Sequence, residues 1–153
     1  MIIALHLVYR VMATCLIFIL LAPHKIIVWG IFHGNIMIKQ VIIIRRDLNM
    51  RRGKEIAQGS HASGAWLFEK LYKHSTNRSG NDYEAFLNDD EVWWLQNGTK
   101  KVTLQVSSEQ ELVDAYNKAK ELGLTAHIIK DEGLTEFNGV HTLTAVAIGP
   151  NKS

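Results

Sequence analysis

The sequence predicts an α/β fold, a mixed four-stranded β-sheet covered by helices in two or three layers. Three observations carry that prediction. The β-branched run Val41 to Ile44 turns through a basic loop into a small-residue helix beginning near Lys54. An alternating segment, KVTLQV from Lys101 to Val106, runs directly into a second capped helix. Two further strand-like runs, TAHIIK and TLTAVAI, close the chain. Strand, helix, helix, strand, helix, strand, strand is the resulting order, and it leaves both parallel and antiparallel neighbours in one sheet.

Lys39 to Arg45 is the first strand, and its unbroken apolar run suits a central strand buried on both faces. Lys54 to Lys73 is the first helix. Ala57, Ala62 and Ala65 thin its surface, and Gly59 and Gly64 each cost about 1 kcal/mol relative to alanine, a cost that close approach to the sheet is expected to offset. His74 to Asp82 (HSTNRSGND) is a loop by composition. Tyr83 to Gln96 is expected to be helical, with Phe86, Leu87 and Trp94 on its buried side, and Asn97 with Gly98 stops it. Ser107 or Ser108 then caps a helix from Glu109 to Leu122, Ser108 and Glu111 having the S-x-x-E form of a capping box. Leu112, Tyr116 and Ala119 share that helix's inner face, and Gly123 ends it. Thr125 to Lys130 is the third strand, Asp131 to Gly139 a loop, and Thr142 to Ile148 the fourth strand, closed by Gly149 and Pro150.

The 153 residues allow a single domain with a modest core. With 47% hydrophobic and 21% charged residues the composition is that of a folded rather than a disordered protein. Residues 1–36 carry Arg10 and Lys25 and no acid, while the rest holds 15 basic and 15 acidic residues. The pI near 8.7 therefore says little about nucleic acid. Local clustering says more: Arg45, Arg46, Arg51, Arg52 and Lys54 fall within ten residues, a patch that can face phosphates or simply be a solvated basic loop. The one cysteine, Cys15, forms no intramolecular disulfide and fits a reducing compartment. No Cys-x-x-Cys or His-x-x-x-His spacing supports a metal site.

Residues 1–36 form an apolar leader before a globular part at 37–153. The uncharged run Val11 to Pro23 spans only about 20 Å as a helix, short of a hydrocarbon core of roughly 30 Å. Three readings stand: a signal-like segment without a clear cleavage site, a tilted anchor that buries His24 and Lys25, or an upstream extension with the working start at Met37. The third is preferred, because Met37 directly precedes the first well-formed strand.

Lys54, Gln58 and His61 follow one another at helical spacing and so share a face near the basic loop. Asp131 stands directly after a buried-looking strand, where a carboxylate is held rigidly. Thr135 lies four residues further on, and Thr144 begins the last strand's apolar run. A lysine, an aspartate and two threonines gathered at one sheet edge would polarise an ester and orient water. Each also has an ordinary structural reading: a surface charge, a glutamine bonded to a loop carbonyl, a hydrogen-bonded histidine, a turn aspartate, two β-favouring threonines.

The segment RRDLNMRRGKEIAQGSHA resembles the signature of the peptidyl-tRNA hydrolase type 2 family, usually R-x-D-L-x-M-x-x-G-K-x-x-A-Q-x-S-H-A. IIKDEGLTEF resembles that family's I-x-D-x-G-x-T run, and TAVAIGP its T-V-L-A-I-G-P ending. The resemblance covers Met37 to Pro150 in matching order. It implies hydrolysis of the ester joining a peptide's carboxyl end to the terminal ribose of tRNA, in the cytoplasm, with no metal or organic cofactor. It places the catalytic set on Lys54, Gln58, His61, Asp131 and Thr135, and on Thr144 after one extra residue between Phe137 and Leu143. Arg45, Arg46, Arg51 and Arg52 are the implied contacts to the tRNA backbone. A homodimer is implied as well, and a membrane contact only if the leader is retained.

Several positions depart from the family pattern. Arg51 and Arg52 replace a common Gly-Lys pair, Glu55 and Ile56 stand where small or aliphatic residues are usual, and Leu134 stands where a basic residue is common. The sequence has three residues after Pro150, whereas the family continues into a final helix, so part of the sheet or of the dimer contact is expected to be uncovered. The competing function class is a catalytically weak protein-interaction module of the same fold. Retention of all six catalytic residue types favours the enzyme.

Overall fold

The computed structural model describes residues 37–74 and 83–152. The leader and most of the loop assigned to His74 to Asp82 lie outside the described residues. The chain lays down β1 (Ile38–Arg45), α1 (Arg52–His74), α2 (Asp89–Gln96), β2 (Lys101–Val106), α3 (Glu109–Glu121), β3 (Ala126–Asp131), a 3-10 turn (Phe137–Gly139) and β4 (Thr142–Lys152). The strands order as β2-β1-β4-β3. β1 pairs parallel with β2 and antiparallel with β4, and β3 pairs antiparallel with β4. The sheet is mixed, as expected, and it is open.

Alternation along β1 sends its side chains to two different cores, because successive residues of a strand face opposite sides. Val41 and Ile43 join Val106, Leu112, Ala115, Ala119 and Val146 beneath α3. Ile42 and Ile44 join Ala62, Ala145 and Ala147 beneath α1. Helices on both faces make the architecture three-layered. A third cluster at the start of β1 joins Ile38, Trp66 and Trp94, the two indoles meeting edge to face at 6.1 Å and 83°. That contact docks α2 on the α1 side of the sheet.

Ser108 accepts from the Glu111 amide at 3.2 Å, which fixes the start of α3. The Glu111 carboxylate accepts from the Ser107 amide at 2.7 Å, one residue earlier than a reciprocal box requires. Leu112 and Ala119 are buried and Tyr116 is partly so.

Three expectations need correction. The helix expected from Tyr83 begins only at Asp89. Asn88 accepts from the Glu91 amide while the Glu91 carboxylate accepts from the Asn88 amide, both at 2.9 Å, a capping box that sets the first turn. Tyr83 to Asn88 is irregular, and Phe86 is 67% exposed; Leu87 and Trp94 pack inward as expected. The last strand does not close at Gly149 and Pro150 but continues to Lys152, pairing Asn151 with Lys39 and Lys152 with Ile38. Gly149 permits this at a φ of 95°, where a Cβ would lie 2.7 Å from the Lys39 carbonyl oxygen. The glycines of α1 are not both explained by close approach to the sheet. A Cβ at Gly59 would meet Ile44 at an ordinary 3.7 Å, and one at Gly64 would meet the ring of Phe68.

Candidate active site

β1 and β3 are parallel to each other through their shared antiparallel partner β4, so both carboxyl ends lie at one edge of the sheet. The chain leaves β1 there, turns through Arg46 to Arg51, and enters α1, whose amino end therefore faces the end of β3. Unpaired amide groups and the helix dipole favour negative charge at that end. Asp131, the last residue of β3, is the carboxylate that occupies the position.

The Lys54 ammonium donates to Asp131 Oδ2 at 2.5 Å and to Thr135 Oγ1 at 3.2 Å. Gln58, one turn further along α1, donates from Nε2 to the same Asp131 oxygen at 2.8 Å. Asp131 Oδ1 accepts from the Gly133 amide at 2.8 Å. The buried Thr144 hydroxyl donates to Gln58 Oε1 at 2.6 Å, and its one proton leaves the Ile129 carbonyl, 3.4 Å away, a secondary neighbour. Thr144 thereby fixes which way the Gln58 amide points. Sequence positions 54, 58, 131, 135 and 144 form one connected network.

The Lys54 hydrogen bond holds Asp131 below the usual carboxylate range, and the Gly133 amide and Gln58 act in the same direction against the opposing effect of burial. Both Lys54 and Asp131 keep 13% of their side-chain surface exposed. They open onto a cleft of about 400 Å³ lined also by Gln58, His61, Ile129, Leu134 and Thr135. His61 is exposed on the wall of that cleft, and no hydrogen bond links it to the Lys54–Asp131 network.

The basic loop divides. Arg45 is 8% exposed and turned inward, with Nε and Nη2 donating to the two Asp47 carboxylate oxygens at 3.1 and 2.6 Å. Its Nη1 donates to Glu109 at 2.7 Å and to the Leu143 carbonyl at 3.0 Å. It ties the end of β1 to α3 and β4 and presents little to solvent. Arg46 is half exposed and pairs with Glu55 at 2.5 Å. Arg51, 77% exposed, pairs with Glu136 at 2.8 Å. Arg52 is exposed and makes no ion pair among the described residues.

Sequence reasoning missed three parts of this site. The Gly133 amide was visible only as an Asp-x-Gly turn signal, in which an aspartate side chain bonds the backbone two residues on. Phe137, held at a φ of 67°, sets its ring 5.7 Å from the Lys54 ammonium, close enough for a cation–π contact. The Arg51–Glu136 pair ties the loop that carries Thr135 back to the start of α1. No local pattern marks that pair. A larger groove, about 770 Å³, lies on the other side of α1 against β2, and Arg46 is the only expected site residue that lines it. Among the described residues no group of three or more histidine, cysteine, aspartate or glutamate side chains is arranged to hold a metal ion.

An ammonium–carboxylate pair at the carboxyl end of a sheet, steadied by a buried amide–hydroxyl relay, defines an α/β protein equipped to bind an oxyanion and orient water. Comparison narrows that class. The family profile described as peptidyl-tRNA hydrolase PTH2 matches residues 38–153. The chain is 43% identical over 114 residues, 74% of its own length and 87% of the relative's, to a peptidyl-tRNA hydrolase of Methanocaldococcus jannaschii. It is 43% identical over 116 residues to that of Aeropyrum pernix, covering 75% and 85% of the two chains. It is 39% identical over 117 residues to that of Methanopyrus kandleri, covering 76% and 87%. The chain belongs to the PTH2 family of peptidyl-tRNA hydrolases.

Proposed function

We propose that this protein hydrolyses the ester linking a peptide to the terminal ribose of tRNA, releasing free peptide and free tRNA. The observation that carries the reading is the direct Lys54–Asp131 pair at the mouth of the cleft, in a chain of this family. The hydrogen bond from Lys54 holds Asp131 below the usual carboxylate range, so it is a weak base. Its role is to accept a hydrogen bond from the attacking water and hold it in line with the ester carbonyl. Lys54 and the Thr135 hydroxyl are the donors for the negative charge that develops on the carbonyl oxygen. As the tetrahedral intermediate collapses, the bond to the ribose oxygen breaks, and that oxygen leaves as a hydroxyl by taking up the proton that the attacking water gives up by way of the Asp131 carboxylate. Gln58 and Thr144 act by fixing Asp131, and His61 forms part of the substrate wall.

Arg46, Arg51 and Arg52 are the contacts proposed for the tRNA backbone; Arg45 is better explained as a structural tie. The alternative of a binding module without activity has no observation in its favour. Action in the cytoplasm and a homodimer accompany the reading as further proposals, as does membrane contact through residues 1–36. Among the described residues no helix is long and apolar enough to cross a membrane.

The test is release of N-acetylated aminoacyl groups from tRNA by the purified chain. Lys54→Ala is expected to lower kcat by about 10²- to 10³-fold, as loss of an oxyanion donor does elsewhere, and Asp131→Ala to lower it comparably. Full turnover by both variants, with folding verified by circular dichroism, would overturn the assignment.

A further inference from the structure

We infer that Phe137 is a positioning residue for the reaction: its ring, held in place by a strained turn, keeps the Lys54 ammonium seated on Asp131 and Thr135. The inference rests on the hydrolase reading and deepens it by one residue that acts through Lys54 rather than on the substrate.

A lysine ammonium is a compact charge on a flexible four-carbon stem, so an oxyanion donor built from one needs something to hold it. Two of the three Lys54 N–H groups have acceptors, Asp131 Oδ2 and Thr135 Oγ1. The Phe137 ring adds a third hold, with the ammonium over it and 5.7 Å from its centroid. Thr135 and Phe137 stand two residues apart between β3 and β4, so the shape of that one segment sets both contacts.

The backbone shows that this placement is imposed. Phe137 has a φ of 67° and Asn138 one of 51°. The left-handed region is unfavourable for a bulky side chain, and a residue persists there only where its surroundings over-determine it. Before Phe137, Glu136 is bonded to Arg51 at 2.8 Å. After it, the Val140 amide donates to the Phe137 carbonyl and the Gly139 amide to the Gly133 carbonyl, both at 2.9 Å. Gly133 leaves no slack, since a Cβ there would lie 2.6 Å from the Val140 carbonyl oxygen.

Packing in the core does not account for the strain. Phe137 is partly buried, yet it belongs to none of the three apolar clusters of the described residues. It does not line the Asp131 cleft either. What the strained turn secures is the ring's contact with Lys54.

The experiment compares the full chain with Phe137→Leu, Phe137→Asn and Phe137→Tyr. It reads release of N-acetylated aminoacyl groups from tRNA and the carboxyl-carbon NMR titration of Asp131. Phe137→Leu keeps an apolar side chain without a π face. Phe137→Asn loses the ring but tolerates the left-handed region, so the turn stays formed. Both should lower kcat by about three- to tenfold, the worth of one partly desolvated cation–π contact, with KM unchanged. Phe137→Tyr keeps a ring and should keep kcat. With Lys54 held less firmly, the Asp131 midpoint should rise in Phe137→Leu and Phe137→Asn and stay in place in Phe137→Tyr.

Parental kcat in Phe137→Asn would show that only the turn matters and overturn the inference. A raised KM at constant kcat would set the ring against the substrate and overturn it too. So would a Phe137→Tyr as slow as Phe137→Leu, or a fall in kcat with the Asp131 midpoint unmoved. If the parent cleaves nothing, the hydrolase reading fails, and the Asp131 titration by itself decides whether Phe137 positions Lys54.

Discussion

Asp131 is the residue on which most of the site converges, accepting from Lys54, Gln58 and the Gly133 amide. Hydrogen bonds to a carboxylate favour its charged form, and the folded value is therefore lowered, chiefly by Lys54. The unfolded chain binds this proton more readily, so ionised Asp131 contributes stability above its unfolded value of about 3.9, and the contribution is lost as pH falls through the lower folded value. We expect a carboxyl-carbon NMR titration to place the Asp131 midpoint below about 3.9 in the parent and higher in Lys54→Ala. The difference in urea midpoint between the parent and Asp131→Asn should narrow as pH falls through that midpoint. An unmoved midpoint in Lys54→Ala would show that another group holds the carboxylate.

At the scale of elements, α1 carries both the site and the contacts that hold it in place. Its buried face meets β1 and β4 through Ala62, while Trp66 meets Trp94 of α2. Lys70 reaches α2 by donating to Glu91 at 2.5 Å. Glu91 is 1% exposed and also closes the capping box of α2. Glu91→Ala removes the box and leaves Lys70 without that partner, so it should lower stability by about 1–3 kcal/mol, read as a shift in urea midpoint at constant m-value. Because α2 is remote from Asp131, kcat of the folded fraction should be unchanged. Glu91→Gln, which keeps an acceptor for the Asn88 amide, should recover part of the loss.

For the whole molecule the question is how a protein of near-balanced charge grips a polyanion. Outside the leader its basic and acidic residues are equal in number, so attraction has to come from placement. We propose that the loop between β1 and α1 supplies it, with the exposed Arg51 and Arg52 at the amino end of α1 and Arg46 on the side of the larger groove. Each phosphate neutralised releases counterions, and binding should weaken steeply with salt. Arg51→Ala and Arg52→Ala should each reduce the slope of log affinity against log salt by about 1, measured by fluorescence anisotropy with tRNA. Arg45→Ala should leave the slope nearly unaltered and lower stability instead, since it strands Asp47 and the Leu143 carbonyl. A slope change at Arg45 matching that at Arg52 would return Arg45 to the RNA surface.

Strand and helix order, the buried faces of β1 and α3, and the residue types of the site were all legible in the sequence. These are local or periodic properties: β-branched runs, helical spacing, capping residues, and two motifs long enough to resemble one family. That residues 54, 58, 131, 135 and 144 meet was settled by tertiary structure alone. Their meeting depends on the strand order β2-β1-β4-β3, which sets the end of β3 against the start of α1 and leaves no trace in either segment by itself. The same holds for the separation of the arginines, because whether Arg45 faces solvent depends on Glu109 and Leu143, 64 and 98 residues away. The late start of α2 had a legible signal in Asn88 and Glu91, outweighed in sequence by the aromatic and apolar residues before it. The reach of β4 beyond Gly149 had none, since a glycine and a proline read as an end until β1 lies alongside to pair with Asn151 and Lys152.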